Sequence, residues 1–354
     1  MSSHPPSTVA PPSEQPSSRA ADEPADRSAD KPADGPAAPS SLTSVEDATR
    51  AIHRLEDNVG LVIRGKGEVI RLAVICLLAR GHVLIEDVPG VGKTTLAQAL
   101  ARSLGLAFQR IQFTSDLLPS DIIGVSIFNQ VDQEFEFVPG PLFSNVLLAD
   151  EINRATPKTQ SALLEAMSER RVSVERKRYK LPRPFVVLAT QNPMEHQGTF
   201  PLPESQLDRF LMSLSIGYPP HQEERALLLS GGVEDLLEGM KPVLSRDQLI
   251  DLQERVDRVN VEEKMADYML AIAKATRDGG DFLLGVSTRA VQSLYRAAQA
   301  MALVDGRGYV VPDDVQHLAP AVLAHRVVLK RGVGDLDSAR RAVRQVVEKV
   351  PVPV

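Results

Sequence analysis

Tryptophan is absent, cysteine occurs once, aromatic residues make up 4% of the chain, and no apolar run is long. Each shortage excludes something. The one cysteine, Cys76, cannot form an intramolecular disulfide, and its place in the apolar run Leu72 to Ala79 points to a buried, unreactive thiol suited to a reducing compartment. That run, the longest in the chain, is closed by Arg71 and Arg80 and is too short to span a bilayer. The N-terminus carries no charged segment leading into an apolar one, so no secretory leader is expected and the expected location is the cytoplasm. A net charge of −6 gives none of the basic surplus of a constitutive nucleic-acid binder.

What remains is the composition of a globular protein. With 354 residues, 43% apolar and 24% charged, the chain can bury the cores of two domains. Residues 1–44 are a different material. The first forty hold nine prolines and no Leu, Ile, Phe or Tyr, so they cannot bury enough apolar surface to offset ordering, and a disordered tail is expected. From Ser44, where Ser-Val-Glu-Asp reads as a helix start, to residue 218, short apolar runs alternate with helical patterns. The runs are His82–Glu86, Arg110–Phe113, Asn145–Ala149, Phe185–Thr190 and Leu211–Ile216; helices are expected near Lys93–Leu104, Lys158–Glu169 and Glu204–Arg209. Runs of Val, Ile and Leu without strict alternation fit a parallel sheet covered on both faces, a doubly wound α/β domain over residues 45–218. After Tyr218-Pro219-Pro220 the period becomes helical (Asp247–Val259, Glu262–Ala275, Thr288–Leu303, Pro312–Leu323) with no convincing strand, predicting an all-α domain over residues 219–354.

Four motifs carry chemistry. The first, Asp87-Val-Pro-Gly-Val-Gly-Lys-Thr, follows a strand and opens a helix, which is the setting a phosphate-binding P-loop needs. Gly90 and Gly92 let backbone N–H groups turn toward phosphate oxygens, Lys93 supplies a charge for the β and γ phosphates, and the Thr94 hydroxyl suits Mg²⁺. Pro89, Val91 and Thr95 complete the expected ATP-binding set. Asp87 stands where the motif usually has its first glycine. The second, Asn145 to Glu151, is an apolar strand ending in two acids, 57 residues after Lys93: Asp150 can hold the metal shell, and Glu151 can polarise an attacking water. The third, Phe185 to Pro193, ends a strand in Asn192, placed to orient that water, although Asn-Pro also reads as a plain turn. The fourth is a pair of arginines, Arg209 in Gln206-Leu-Asp-Arg-Phe and Arg289 in Gly285-Val-Ser-Thr-Arg-Ala, whose fixed forks suit transition-state phosphate oxygens. A surface salt bridge is the commoner fate of any arginine.

Taken in order, these elements resemble the AAA+ ATPases. The blocks Ile111 to Gly124, Gly140-Pro-Leu-Phe, Asp150-Glu-Ile-Asn-Arg-Ala and Ala189-Thr-Gln-Asn-Pro resemble the MoxR family in particular, a likeness running from about residue 46 to 345. The resemblance implies a P-loop AAA+ core followed by an all-α lid, Mg-dependent ATP hydrolysis, a homo-oligomer of six subunits, and chaperone-like remodelling or maturation of a partner, often one with a von Willebrand factor A domain. It also implies that Val62, Ile63 and Gly65 border the adenine, that Arg209 reaches a neighbour's ATP with Arg154 near the same interface, and that Arg289 is the lid's sensor. Ser126–Pro139 and Arg171–Leu181 become hairpins facing a ring pore. Val286 and Thr288 stand where the family often has Ala and Pro.

Two rival readings follow from the residues. The basic stretch Arg171 to Leu181 could track a nucleic-acid backbone, which would make the chain a motor on DNA or RNA. The scarcity of aromatics, which removes a stacking platform, favours a protein client. A nucleotide-gated scaffold with little turnover is the non-enzyme alternative, against which Glu151, Asn192 and both arginines argue.

Overall fold

The computed structural model describes residues 42–175, 177–192, 198–229, 232–278, 281–330 and 335–353. The expected disordered tail lies almost wholly outside them. The described chain opens with two helices, α1 (Val45–Gly60) and α2 (Gly67–Leu78). Ser44 starts α1 by a reciprocal cap, its hydroxyl accepting from the Asp47 N–H while the Asp47 carboxylate accepts from the Ser44 N–H. Then come β1 (Val83–Glu86), α3 (Lys93–Ser103), β2 (Phe108–Gln112), α4 (Pro119–Ile123) and a hairpin of β3 (Gly124–Asn129) and β4 (Glu134–Pro139). β5 (Val146–Asp150) and α5 (Pro157–Glu169) lead to a second hairpin, β6 (Arg171–Val174) and β7 (Lys177–Lys180), followed by β8 (Val186–Gln191), α6 (Glu204–Leu207) and β9 (Met212–Leu214).

The five apolar runs form one sheet in the order β2-β5-β8-β1-β9, with every neighbouring pair parallel. Burial explains the lack of a polar alternation. Side chains alternate between two cores: Val83, Ile85, Val146, Leu148, Val186 and Leu188 enter one, and Leu84, Leu147, Ala149, Val187 and Ala189 enter the other. Because the strands are parallel, all five carboxyl ends share one edge, and β8 lies between β1 and β5. The hairpins stand outside the sheet and meet each other where Phe137 stacks on Tyr179, centroids 4.2 Å apart.

The remaining chain is mostly helical: α7 (His221–Leu229), α8 (Glu234–Gly239), α9 (Arg246–Val256), α10 (Glu263–Asp278), α11 (Thr288–Val304), α12 (Pro312–Leu323) and α13 (Leu336–Lys349). The expectation of no strand here needs correction, because β10 (Phe282–Leu284) and β11 (Val328–Leu329) form a small antiparallel ladder. Strands of three and two residues are too short to leave a periodic signal. The helical part is not packed apart from the rest. α1 and α2 both lie on α11, and Ile52, Leu55, Ile75 and Leu78 share one core with Leu294 and Ala298. Cys76 sits in that core, and burial pushes its thiol pKa up.

Candidate active site

The loop after β1 is shaped by two glycines in left-handed conformations, Gly90 at φ +83° and Gly92 at φ +93°. A Cβ added at Gly90 would meet nothing within 4 Å, so the loop has an open side. Gly92 is the N-cap of α3 and offers no side-chain cap, which leaves the first N–H groups of that helix without a capping side chain. Lys93, the first helical residue, folds back so that its Nζ donates to the Asp87 carbonyl at 2.7 Å. Burial pulls its ammonium below the ordinary value, while the fields of Asp87, Asp150 and Glu151 oppose that shift. The fields of those three carboxylates therefore act on the same ammonium. Thr94 and Thr95 line an adjoining cleft of about 690 Å³ with Gln98 and Arg110.

The acidic pair ends β5. Asp150 is 9% exposed and hydrogen-bonded at both oxygens: Arg110 donates to Oδ2 at 2.6 Å, and the Thr190 hydroxyl donates to Oδ1 at 2.6 Å. Glu151 leaves the strand at φ +55°, a costly conformation for a residue with a side chain, and the Thr190 hydroxyl accepts its N–H at 2.9 Å. Its Oε2 accepts from Gln112 at 2.7 Å and from Arg154 at 3.1 Å. Asn192 follows β8, is 7% exposed, and lies beside the loop, because Gln191 pairs with Glu86 and its carbonyl accepts the Asp87 N–H at 3.3 Å. Lys93, Asp150, Glu151 and Asn192 thus share the carboxyl edge of three adjacent strands. The donor set fits Mg²⁺, which takes hard oxygens and keeps several waters: one hydroxyl from Thr94 and one carboxylate from Asp150, with phosphates to complete it.

Val62 and Ile63 are buried, and Ile63 Cδ1 lies 3.9 Å from where a Gly92 side chain would begin, so this segment borders the loop. Gly65 allows a close approach: a Cβ there would fall 2.8 Å from the ring of Pro220. Asp87 takes no part in the phosphate-facing surface. Its Oδ1 accepts from Val88 N–H at 2.8 Å, and its Oδ2 accepts from Gly217 N–H at 2.6 Å and the Ser215 hydroxyl at 3.3 Å.

Arg209 and Arg289 are elsewhere. Arg209 donates to the Leu164 carbonyl at 2.7 Å and to the Ser168 hydroxyl at 2.9 Å, and Arg289 donates to that same hydroxyl at 3.3 Å. This meeting point is at the amino edge of the sheet, beside His82, whose carbonyl accepts the Leu211 N–H at 2.8 Å. His82 and Asp87 flank β1, and five steps of about 3.3 Å put them roughly 16 Å apart. The two arginines line a cleft of about 840 Å³ with Arg80, Arg170 and Arg296. Asp257 pairs with Arg80 and Arg296, each at 2.7 Å. Among the described residues, no carboxylate lies within ion-pair distance of Arg209, Arg289 or Arg170.

Arg110, Gln112, Thr190 and Ser168 escaped the sequence reading. A signal existed for the first two: polar residues at alternating positions of a strand whose register sets Gln112 opposite Asp150. Thr190 and Ser168 had none, since one hydroxyl in an ordinary strand or helix looks like any other.

Comparison with known proteins follows this geometry. Residues 82–212 match the model of the ATPase family associated with various cellular activities, and residues 274–347 match an AAA lid domain. Chaperone MoxR1 of Mycobacterium tuberculosis is 41% identical over 90% of this chain and 87% of its own length. The uncharacterized protein YeaC of Bacillus subtilis is 47% identical over 87% of this chain and 97% of its own. A crystal structure of a proposed ATPase from Cytophaga hutchinsonii superposes with a TM-score of 0.80 at 36% identity, covering 88% of this chain and 97% of that one.

Proposed function

Because the chain belongs to the MoxR family of AAA+ ATPases, a P-loop core with a helical lid, we propose that it hydrolyses Mg-ATP in a ring whose subunits complete one another's sites. Residues 45–218 act as the core and 219–354 as the lid. The N–H groups of Gly90, Val91 and Gly92 and the α3 terminus receive the triphosphate, with Pro89 and Thr95 shaping the loop; Lys93 lies against its β and γ oxygens. Val62, Ile63 and Gly65 border the adenine. Thr94 and Asp150 are the residues that would hold Mg²⁺, which would supply charge neutralisation on the transferring group. Glu151 takes the proton of the attacking water once its Oε2 exchanges Gln112 or Arg154 for that water, and Asn192 orients it. Arg209 and Arg289, at the opposite edge of the sheet from their own loop, a span of roughly 16 Å along β1, serve the nucleotide of the adjacent subunit, where no local acid competes for them.

A six-membered ring in the cytoplasm, remodelling or maturing a protein partner that carries a von Willebrand factor A domain, is the biological form of this reading; the name of the Mycobacterium relative supports the chaperone part. Protein rather than nucleic acid is the client, in keeping with the net charge of −6.

One observation carries the proposal: the loop holding Lys93, the pair Asp150–Glu151 and Asn192 sit on the ends of three neighbouring parallel strands. The test is phosphate release from Mg-ATP by the purified chain, against Lys93→Ala. Wild-type release should exceed the variant's by at least about 100-fold, and equal release would sink the assignment. A Glu151→Gln chain should retain its partner long enough for identification by co-purification.

A further inference from the structure

We propose that Asp87 is a positioning residue, a latch that joins the phosphate loop to the linker between sheet and helical lid. The inference rests on the ATPase reading above and assigns a role to the residue that departs from the motif. Asp87 is not among the residues with positive φ, so nothing in the backbone demands a glycine there. It is 7% exposed, and among the described residues it has no ion-pair partner within 4 Å, an expensive setting for a carboxylate unless donors surround it. Donors do surround it, and they come from different parts of the fold. Val88 N–H is in the loop, while Gly217 N–H and the Ser215 hydroxyl belong to the stretch after β9. The backbone of Asp87 makes two more links: its N–H donates to Gln191, next to Asn192, and its carbonyl accepts from Lys93 Nζ.

One residue therefore touches the phosphate-binding lysine, the end of the strand bearing Asn192, and the segment leading into the lid. Pro220 in that segment also packs against Gly65, so the adenine-bordering turn meets the linker at the same place. When Lys93 turns from the Asp87 carbonyl to a phosphate, the peptide it leaves is the one whose carboxylate holds Gly217. The latch carries that change to the linker. A purely local role would need only the Val88 bond.

Asp87→Asn separates the two roles, because an amide has a single acceptor oxygen: Val88 or Gly217 must lose its acceptor. Asp87→Gly removes both and restores the usual motif residue. Two exposed lysines, Lys158 on α5 and Lys264 on α10, replaced by cysteine accept spin labels, and buried Cys76 stays unlabelled. Both Asp87 variants should bind ATP within about 3-fold of wild type, lose about 10-fold in kcat, and lose the ATP-dependent change in the 158–264 distance, in the range typical of coupling between sites. Should Asp87→Gly fold poorly by circular dichroism, Asp87→Ser, too short to reach Gly217, is judged by the same readouts. A wild-type kcat with an intact distance change in Asp87→Asn overturns the latch. So does a loss of affinity in step with kcat, which would put Asp87 in the phosphate cradle instead. A wild-type chain without turnover would sink the underlying reading as well.

Discussion

The two edges of the central sheet are built from the same strands and share little else. At the carboxyl edge, acids and an amide (Asp150, Glu151, Asn192) lie around a lysine and an open glycine loop, and both carboxylates accept hydrogen bonds. At the amino edge, arginines outnumber acids, and Arg209 and Arg289 crowd one serine hydroxyl, with Arg209 Nε buried and unpartnered among the described residues. A polar group left in that state is destabilising unless something else satisfies it. The carboxyl edge pairs its acids with Lys93, Arg110 and Arg154; the amino edge is cationic and short of an anion. Neither edge by itself holds every part of a phosphoryl-transfer centre, which is the contrast the proposed shared site would resolve.

Substitutions at each edge can break or sharpen this contrast. The largest effect belongs to Arg209→Ala: pure variant should lose on the order of 10³-fold or more in kcat. In mixtures with wild type, phosphate release should fall faster than the fraction of variant added. Arg289→Ala should behave alike, and strictly proportional activity for either would return that arginine to its own subunit. Next, Glu151→Gln should lose roughly 10²–10⁴ in kcat while holding ATP with unchanged affinity, measured by single-turnover and equilibrium binding.

A third effect separates the edges by pH. Burial holds the His82 pKa down to about 4, against 6.5 ordinarily, and its Nδ1 accepts from Val187 N–H at 3.0 Å, which fixes the neutral ring. The unfolded chain takes up the proton first as pH drops, so stability is full above about pH 6.5 and is lost on acidification toward 4, by about 3 kcal/mol from this group. Denaturant melts across that range should show a shallower decline in His82→Gln; an unchanged slope would acquit His82. Smallest is Gln112→Ala. Freeing one hydrogen bond on Glu151 should raise basal turnover by a factor of about 3, and a fall instead would mean that Gln112 aids the step rather than restraining it.

The carboxyl edge was the readable one. Asp150 and Asn192 end apolar runs and Lys93 follows one by a short glycine loop, and a parallel sheet turns that one-dimensional fact into a shared edge. Strand boundaries shifted by at most two residues, which moved no motif. The arginines were readable as candidates only, since their place depends on α5 and α11 meeting across a long stretch of sequence, through a serine with no distinctive neighbours. The short ladder of Phe282 and Leu329 was invisible for want of length. Asp87 was read as a blemish in a motif; its partners at 215 and 217 lie 128 and 130 residues away, beyond any local pattern.

The packing of α1 and α2 onto α11 bears on how this chain can be handled and how it can move. A fragment ending at 218 would lay bare Ile52, Leu55, Ile75 and Leu78, an oily face that should drive it to aggregate rather than stand as a free module. Dissection by truncation is therefore the wrong tool for assigning roles to the halves. Within the intact chain the same packing opposes a wide swing of α11 away from α1 and α2 and favours small slides of helix on helix.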